Sequence, residues 1–219
     1  MRRRLALFSM TILVFAGVAS AAVQKGDKEV EFIGGWLSES GSADTDFSSW
    51  FVAGDFNYFL SDYLSFGIGG IGSNMQVDGT TRLIPVDTGG GIILNAIFKE
   101  DRDITIYGIG PNLKLHFKPT GPWVPYVGAQ FKWVSATIDT TGTYSAETFP
   151  GSGVYTTPAP FSESFDASGL MWGPLGGVRV QLNDRNDLVV EAQYHMWTGD
   201  LGDVLDNGFG IFFGVSHKF

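Results

Sequence analysis

The stretch from Asn207 to Phe219 alternates strictly in residue type and ends on an aromatic side chain. Successive side chains of an extended strand point to opposite faces. Ile211, Phe213, Val215, His217 and Phe219 therefore share one face, and Gly210, Gly214, Ser216 and Lys218 the other. One face is apolar and the other small or polar, a pattern that only a sheet with two unlike surroundings can use.

The same period of two runs through the rest of the chain, broken by clusters of Gly, Pro, Asn and Asp, and no helical period is sustained. Lys28 to Leu37 sets Val30, Phe32 and Trp36 against Glu29, Glu31 and Gly35. Phe47 to Phe59 sets Trp50, Val52, Phe56 and Tyr58 against Ser49, Asp55 and Asn57. Tyr63 to Met75 sets Leu64, Phe66 and Ile68 against Ser65, Gly67, Gly69 and Ser73. Ile104 to Phe117, Val124 to Ser135, Leu170 to Leu182 and the run from Leu188 to Met196 repeat the scheme, and the terminal strand makes eight.

Met1 to Ala21 has the three parts of a secretory signal peptide: Arg2, Arg3 and Arg4, then the apolar run Leu5 to Val18, then the small-x-small site Ala19-Ser20-Ala21. The apolar run is shorter than the roughly 20 residues of a spanning helix. The expected division is a signal peptide over 1–21 and one β-domain over 22–219. Cleavage after Ala21 leaves 11 basic and 23 acidic residues, a formal charge of −12. That balance excludes a nucleic-acid partner, which selects a basic surface. The chain has no cysteine, so disulfides play no part in its stability.

A soluble sandwich also alternates, but its strands are usually about five or six residues long, and its apolar face is the inner one. Here the strands run to ten residues and more, as spanning strands must, and their apolar faces carry Phe, Trp and Tyr near the strand ends. In lipid only a closed sheet satisfies every backbone group. The expected fold is thus all-β, a transmembrane antiparallel up-and-down barrel of eight strands. Gly89 to Phe98 also looks like a strand; Val77 to Asp103 is read as an extracellular excursion extending the wall as a hairpin, with ten strands as the alternative. Short turns near 61, 120 and 185 alternate with longer loops near 42, 90, 152 and 203.

In Gly110-Pro111-Asn112-Leu113-Lys114, Pro125-Tyr126-Val127-Gly128-Ala129 and the terminal Phe219, the chain resembles the small bacterial outer-membrane barrels of the OmpA, OmpX, OmpW and opacity-protein group. The resemblance implies an outer-membrane location after signal-peptide cleavage. It also implies contact with outer-membrane lipid and lipopolysaccharide, handling by periplasmic chaperones and the barrel-assembly machinery, and Phe219 as the residue that machinery reads. From its OmpW side it implies a narrow, porin-like path for small or apolar solutes as an alternative function.

The face opposite the apolar one gathers Glu29, Glu31, Asp55, Lys114, Lys132, Arg179 and Glu191, with Asn57, Asn112, His116, Tyr126, Gln130, Gln181, Gln193 and His195. Eight strands enclose an interior just wide enough for side chains to fill, and unpaired charges there are costly. The expectation is a polar, plugged lumen; a path gated by the Lys, Arg and Glu groups is the other reading. Gly67 to Gly72 satisfies GxGxxG, but a dinucleotide site needs a helix after it, and more strand follows. Neither GxSxG nor HExxH occurs, and His116, His195 and His217 fall on separate strands, so no catalytic set, metal site or cofactor is expected. His217 belongs to the lipid face near the periplasmic rim. Thr137 to Ser168 reads as the longest loop, with Tyr144, Phe149, Tyr155, Phe161 and Phe165 among small polar residues, a candidate surface for a host or other external ligand. Asp200, Asp203 and Asp206 in the last loop have carboxylates for a hard cation, without EF-hand spacing.

Overall fold

The computed structural model describes residues 23–39, 47–87, 93–117, 121–205 and 207–219. Eight strands follow in chain order: β1 (Lys28–Glu39), β2 (Phe47–Ser61), β3 (Leu64–Asp87), β4 (Ile93–His116), β5 (Trp123–Ala146), β6 (Ala159–Gln181), β7 (Asn186–Gly199) and β8 (Gly208–Lys218). Each pairs antiparallel with the next, and β8 returns to β1 from Glu29↔Lys218 to Glu39↔Gly208, closing the barrel. A single-turn 3-10 helix, Asp200–Asp203, sits between β7 and β8. The expected signal peptide, the loops near 42 and 90 and the turn near 120 fall on or around 1–22, 40–46, 88–92 and 118–120, outside the described residues.

Alternation decides which side of the wall each residue takes. Phe32, Trp36, Trp50, Phe56, Ile68, Ile109, Trp133, Ile211, Phe213 and Val215 all point outward and are exposed, Trp36 at 67% and Trp133 at 59%. An exposed apolar surface of this extent marks contact with something other than water. Two rows of aromatic residues bound it: Trp36, Trp50, Tyr107 and Trp133 toward the long hairpins, and Tyr58, Tyr63, Phe66, Phe117, Trp123 and Phe219 toward the short turns. Such girdles lie at the two interfaces of a bilayer.

The structure changes three expectations. Thr137 to Ser168 is not a loop: β5 and β6 stay paired from Ser135↔Ser168 to Tyr144↔Ala159, and only 147–158 connect them. Thr137, Ile138, Thr140, Thr141, Thr143 and Tyr144 are β-branched or aromatic, which suits a pleated strand; their polarity suggested a loop because both faces of this part of the sheet are clear of lipid. The described part of Gly89 to Phe98 is not a separate strand either. From Ile93 it belongs to β4, paired with β3 as far as Asp87↔Ile93, so the ten-strand alternative falls and the hairpin extension stands. The turn expected near 61 lies at Asp62 and Tyr63, because Leu60 and Ser61 remain in β2 after an irregularity between Phe59 and Ser61.

These long strands make the barrel lopsided. Among the described residues, β2 pairs with β3 as far as Phe47↔Val77 while β3 continues to Asp87, and β7 pairs with β6 as far as Gly169↔Gly199 while β6 begins at Ala159. A four-stranded sheet of β3, β4, β5 and β6 therefore rises about ten residues beyond the closed wall, roughly 30 Å of strand at 3.3 Å per residue.

Candidate functional site in the barrel interior

Glu29, Glu31, Asp55, Lys114, Lys132, Arg179, Glu191 and His195 come from six strands and are all buried. Nearest the short turns, Lys218 and Arg179 both reach the Asp187 carboxylate, at 3.2 and 2.9 Å. Arg179 also pairs with Glu29 and donates to Ser216 Oγ at 2.7 Å. One layer further in, Lys114 Nζ lies 2.6 Å from Glu31 and 3.1 Å from Glu191, and the Tyr126 hydroxyl donates to Glu191 at 2.7 Å. Beyond that, Lys132 and the Asn112 side-chain amide both donate to Asp55 Oδ1, at 3.2 and 3.0 Å. Gln130 Nε2 and His195 Nε2 donate to the same oxygen, Gln193 Oε1, at 2.8 and 2.7 Å. Five carboxylates and four cations are thus interleaved so that each acid meets a cation, the arrangement that buried charge requires.

The glycines of β3 serve this network. Gly69 stands opposite Asp55, and a Cβ there would come within 2.6 Å of the Asp55 carboxyl carbon. The GxGxxG run thus keeps the wall thin where the carboxylate lies across it; β3 runs on as strand past Gly72, with no helix to bind a pyrophosphate.

Two apolar groups adjoin the charged layers. At the short-turn end Val23, Phe59 and Val124 form a small buried cluster, with the Arg179 guanidinium 5.8 Å from the Phe59 ring centroid. Toward the projecting sheet, Phe51, Phe212 and Trp197 surround His195, with ring centroids 5.4, 6.0 and 6.0 Å from the imidazole. Ile33, Met75, Ile106 and Met171 belong to the same buried cluster.

The sequence reading had not placed Asp187, Lys218, Phe51, Phe212 or Trp197 in the interior set. Lys218 shares the inward face of the terminal strand with Ser216, as its alternation gives, whereas Asp187 is hidden by its place in a turn-like run; continuing the parity of Glu191 by four residues finds it. The aromatic residues were hidden by their type, since apolar side chains at inward positions break the simple rule of polar inside and apolar outside. Gln181 lies half-exposed at the mouth, with its amide on the Asn183 carbonyl. His217 is half-buried, with Nδ1 2.9 Å from Asn186 Oδ1 near the short turns. Asp200 and Asp203 lie in the 3-10 helix and Asp206 outside the described residues, among which no group of three acidic or histidine side chains is placed to hold a metal.

Outside the lumen, Glu147 organises the β5–β6 connection. Its carboxylate accepts from the backbone N–H groups of Asn95, Gly151 and Gly153 and from the Asn95 amide at 2.9 Å. These donors favour the charged form and hold the carboxyl below the usual carboxylate range. A depressed pKa contributes stability above the unfolded value of about 4.3 and loses it as pH falls through the folded one. Glu147→Gln is expected to lower protection against hydrogen exchange at the Gly151 and Gly153 amides roughly threefold to tenfold at pH 7, and a pH below the folded carboxyl value is expected to lower their protection in the same way in the unsubstituted protein. Unchanged protection in both cases would contradict this.

A closed, outward-apolar wall around a paired polar interior defines the class: an integral membrane β-barrel. The family model for the outer membrane protein beta-barrel domain matches residues 10–219, and the chain belongs to that family, which places it in the outer membrane. No curated protein matches the chain. Its solved structural neighbours include the attachment invasion locus protein Ail of Yersinia pestis, 13% identical, covering 90% of this chain and 100% of that one with a TM-score of 0.43. Neisserial surface protein A is 15% identical, with 88% and 96% covered and a TM-score of 0.45. OprG from Pseudomonas aeruginosa is 14% identical, with 92% and 99% covered and a TM-score of 0.44.

Proposed function

We propose that this barrel is a non-enzymatic outer-membrane protein whose lumen is closed to bulk solutes and whose working surface is the projecting β3–β6 sheet, in contact with the cell's surroundings. The observation that carries the reading is the stacking of unlike layers along one narrow interior. The Arg179 and Lys114 ion-pair layers lie between the Phe59 cluster and the Phe51–Phe212–Trp197 cluster. A hydrated ion moving through would have to displace paired charges and then cross an apolar constriction. The projecting sheet, in contrast, extends two connected hairpins well past the bilayer, where loops and strand ends of such barrels meet other molecules.

Planar-bilayer recording tests the closure. The purified protein is expected to give no reproducible single-channel steps. Steps that change size when Lys132→Met or Arg179→Met is introduced would overturn it in favour of the narrow solute path. Lipid A from overexpressing cells is expected to keep its mass, and a loss or gain of an acyl chain would overturn the non-enzymatic assignment. Passage through the periplasm after signal-peptide cleavage, and recognition of Phe219 during assembly, belong to the same proposal.

A further inference from the structure

The inner side of the projecting sheet carries a cleft of about 440 Å3 above the barrel mouth. Its side chains come from neighbouring register positions: Phe98 pairs with Tyr144, Gly142 with Phe161, Thr140 with Glu163, and Ile138 with Phe165. The Phe98 and Tyr144 rings stack at 6.1 Å and 25°, while Phe161 meets Phe98 edge-on at 6.0 Å and 77°. Two aromatic planes at nearly a right angle form a corner, and a fourth ring, Phe165, 47% exposed, lines the same cleft four residues further along β6. A ring face left open to the cleft in such a corner is the kind of surface on which an alkylated ammonium group rests.

The charges around the corner favour the same ligand. Arg102 is held by Glu100 at 3.1 Å. Glu163 lines the cleft, is exposed, and makes no hydrogen bond or ion pair among the described residues. The charged side chains lining the cleft are Glu100, Arg102 and Glu163.

We infer that this cleft binds an organic cation with an apolar shell, a quaternary or highly alkylated ammonium group, between the Phe98–Tyr144 stack and Phe161 with Glu163 as its counter-ion. The inference rests on the projecting sheet being a surface that meets other molecules, and it is independent of whether the lumen conducts. Free inorganic cations lack the apolar shell, and neutral apolar molecules gain nothing from Glu163.

The test is a ligand-observed NMR titration of the full-length mature protein in a maltoside detergent, whose head group is uncharged. The probes are choline and its neutral isostere 3,3-dimethylbutan-1-ol. Choline is expected to bind at least roughly tenfold more tightly than the isostere, with Phe161→Leu and Glu163→Gln each weakening it roughly threefold to tenfold. Both substitutions lie beyond the closed wall, so a retained heat-dependent shift in gel mobility certifies that the barrel itself is intact. Equal binding of the two probes would overturn the cation assignment, and choline binding unaffected by either substitution would overturn the location. A barrel that conducts in bilayers yet binds choline as described would sink the closed lumen alone and leave this site standing.

Discussion

Lys114→Met should be among the most damaging single substitutions in this protein. Lys114 is 2% exposed and is shared between Glu31 and Glu191, which lie on β1 and β7 across the lumen from β4. Removing the ammonium leaves two buried carboxylates facing one another with no cation between them. The cost of breaking a buried pair from one side is about 3–5 kcal/mol, and it exceeds the net worth of the pair because an uncompensated charge remains. The triple substitution Lys114→Met, Glu31→Leu and Glu191→Leu is therefore expected to recover much of the loss, since no charge is then left stranded. Reversible urea unfolding in lipid vesicles, followed by tryptophan fluorescence, measures both. A single variant within about 0.5 kcal/mol of the parent would mean that water reaches this layer and screens it. That result would also count against a closed lumen.

The parts of the barrel that face lipid were legible because the bilayer imposes a sharp code. Phe32, Ile109 and Val215 could be placed outward from alternation alone, and the structure leaves all three exposed. The closing pair β1–β8 was harder, since pairing of the first and last strands rests on tertiary closure; only the shared pattern of Lys28 to Leu37 and Ile211 to Phe219 hinted at it. The code fails where the surroundings become uniform. From Thr137 to Ala146 both faces are away from lipid, so apolar and polar residues no longer sort by face, and a β-rich run such as Thr140-Thr141-Gly142-Thr143-Tyr144 reads as loop. The aromatic corner was split for the same reason: Phe161 and Tyr144 were grouped as loop residues, while Phe98 stood in a segment of unsettled role. Their meeting depends on a register that runs unbroken for ten residues past the membrane.

Phe212 shows the opposite failure, an apolar residue inside a lumen expected to be polar, and its removal makes the second large prediction. Phe212 is 1% exposed and packs against both Phe51, at 6.5 Å and 80°, and the imidazole of His195. It stands opposite Gly35, and its ring leans over Gly210, where a Cβ would come within 2.7 Å of the ring edge. Truncating a buried Phe to Ala costs about 3–5 kcal/mol through lost transfer energy and the cavity left behind. In a soluble core that cavity would stay dry. Here it would open beside His195, Gln193 and Gln130, polar groups able to hold water. Phe212→Ala is therefore expected to be destabilised by that amount in vesicle unfolding. With Phe51→Ala added, brief conductance steps absent from the parent are expected, because the apolar constriction then loses both rings. Phe212→Leu, which keeps most of the volume, should lose under about 1.5 kcal/mol and remain silent. If the double alanine variant folds and still passes no current, the ion-pair layers around Lys114 and Arg179 suffice to seal the barrel by themselves, and the aromatic cluster serves stability alone.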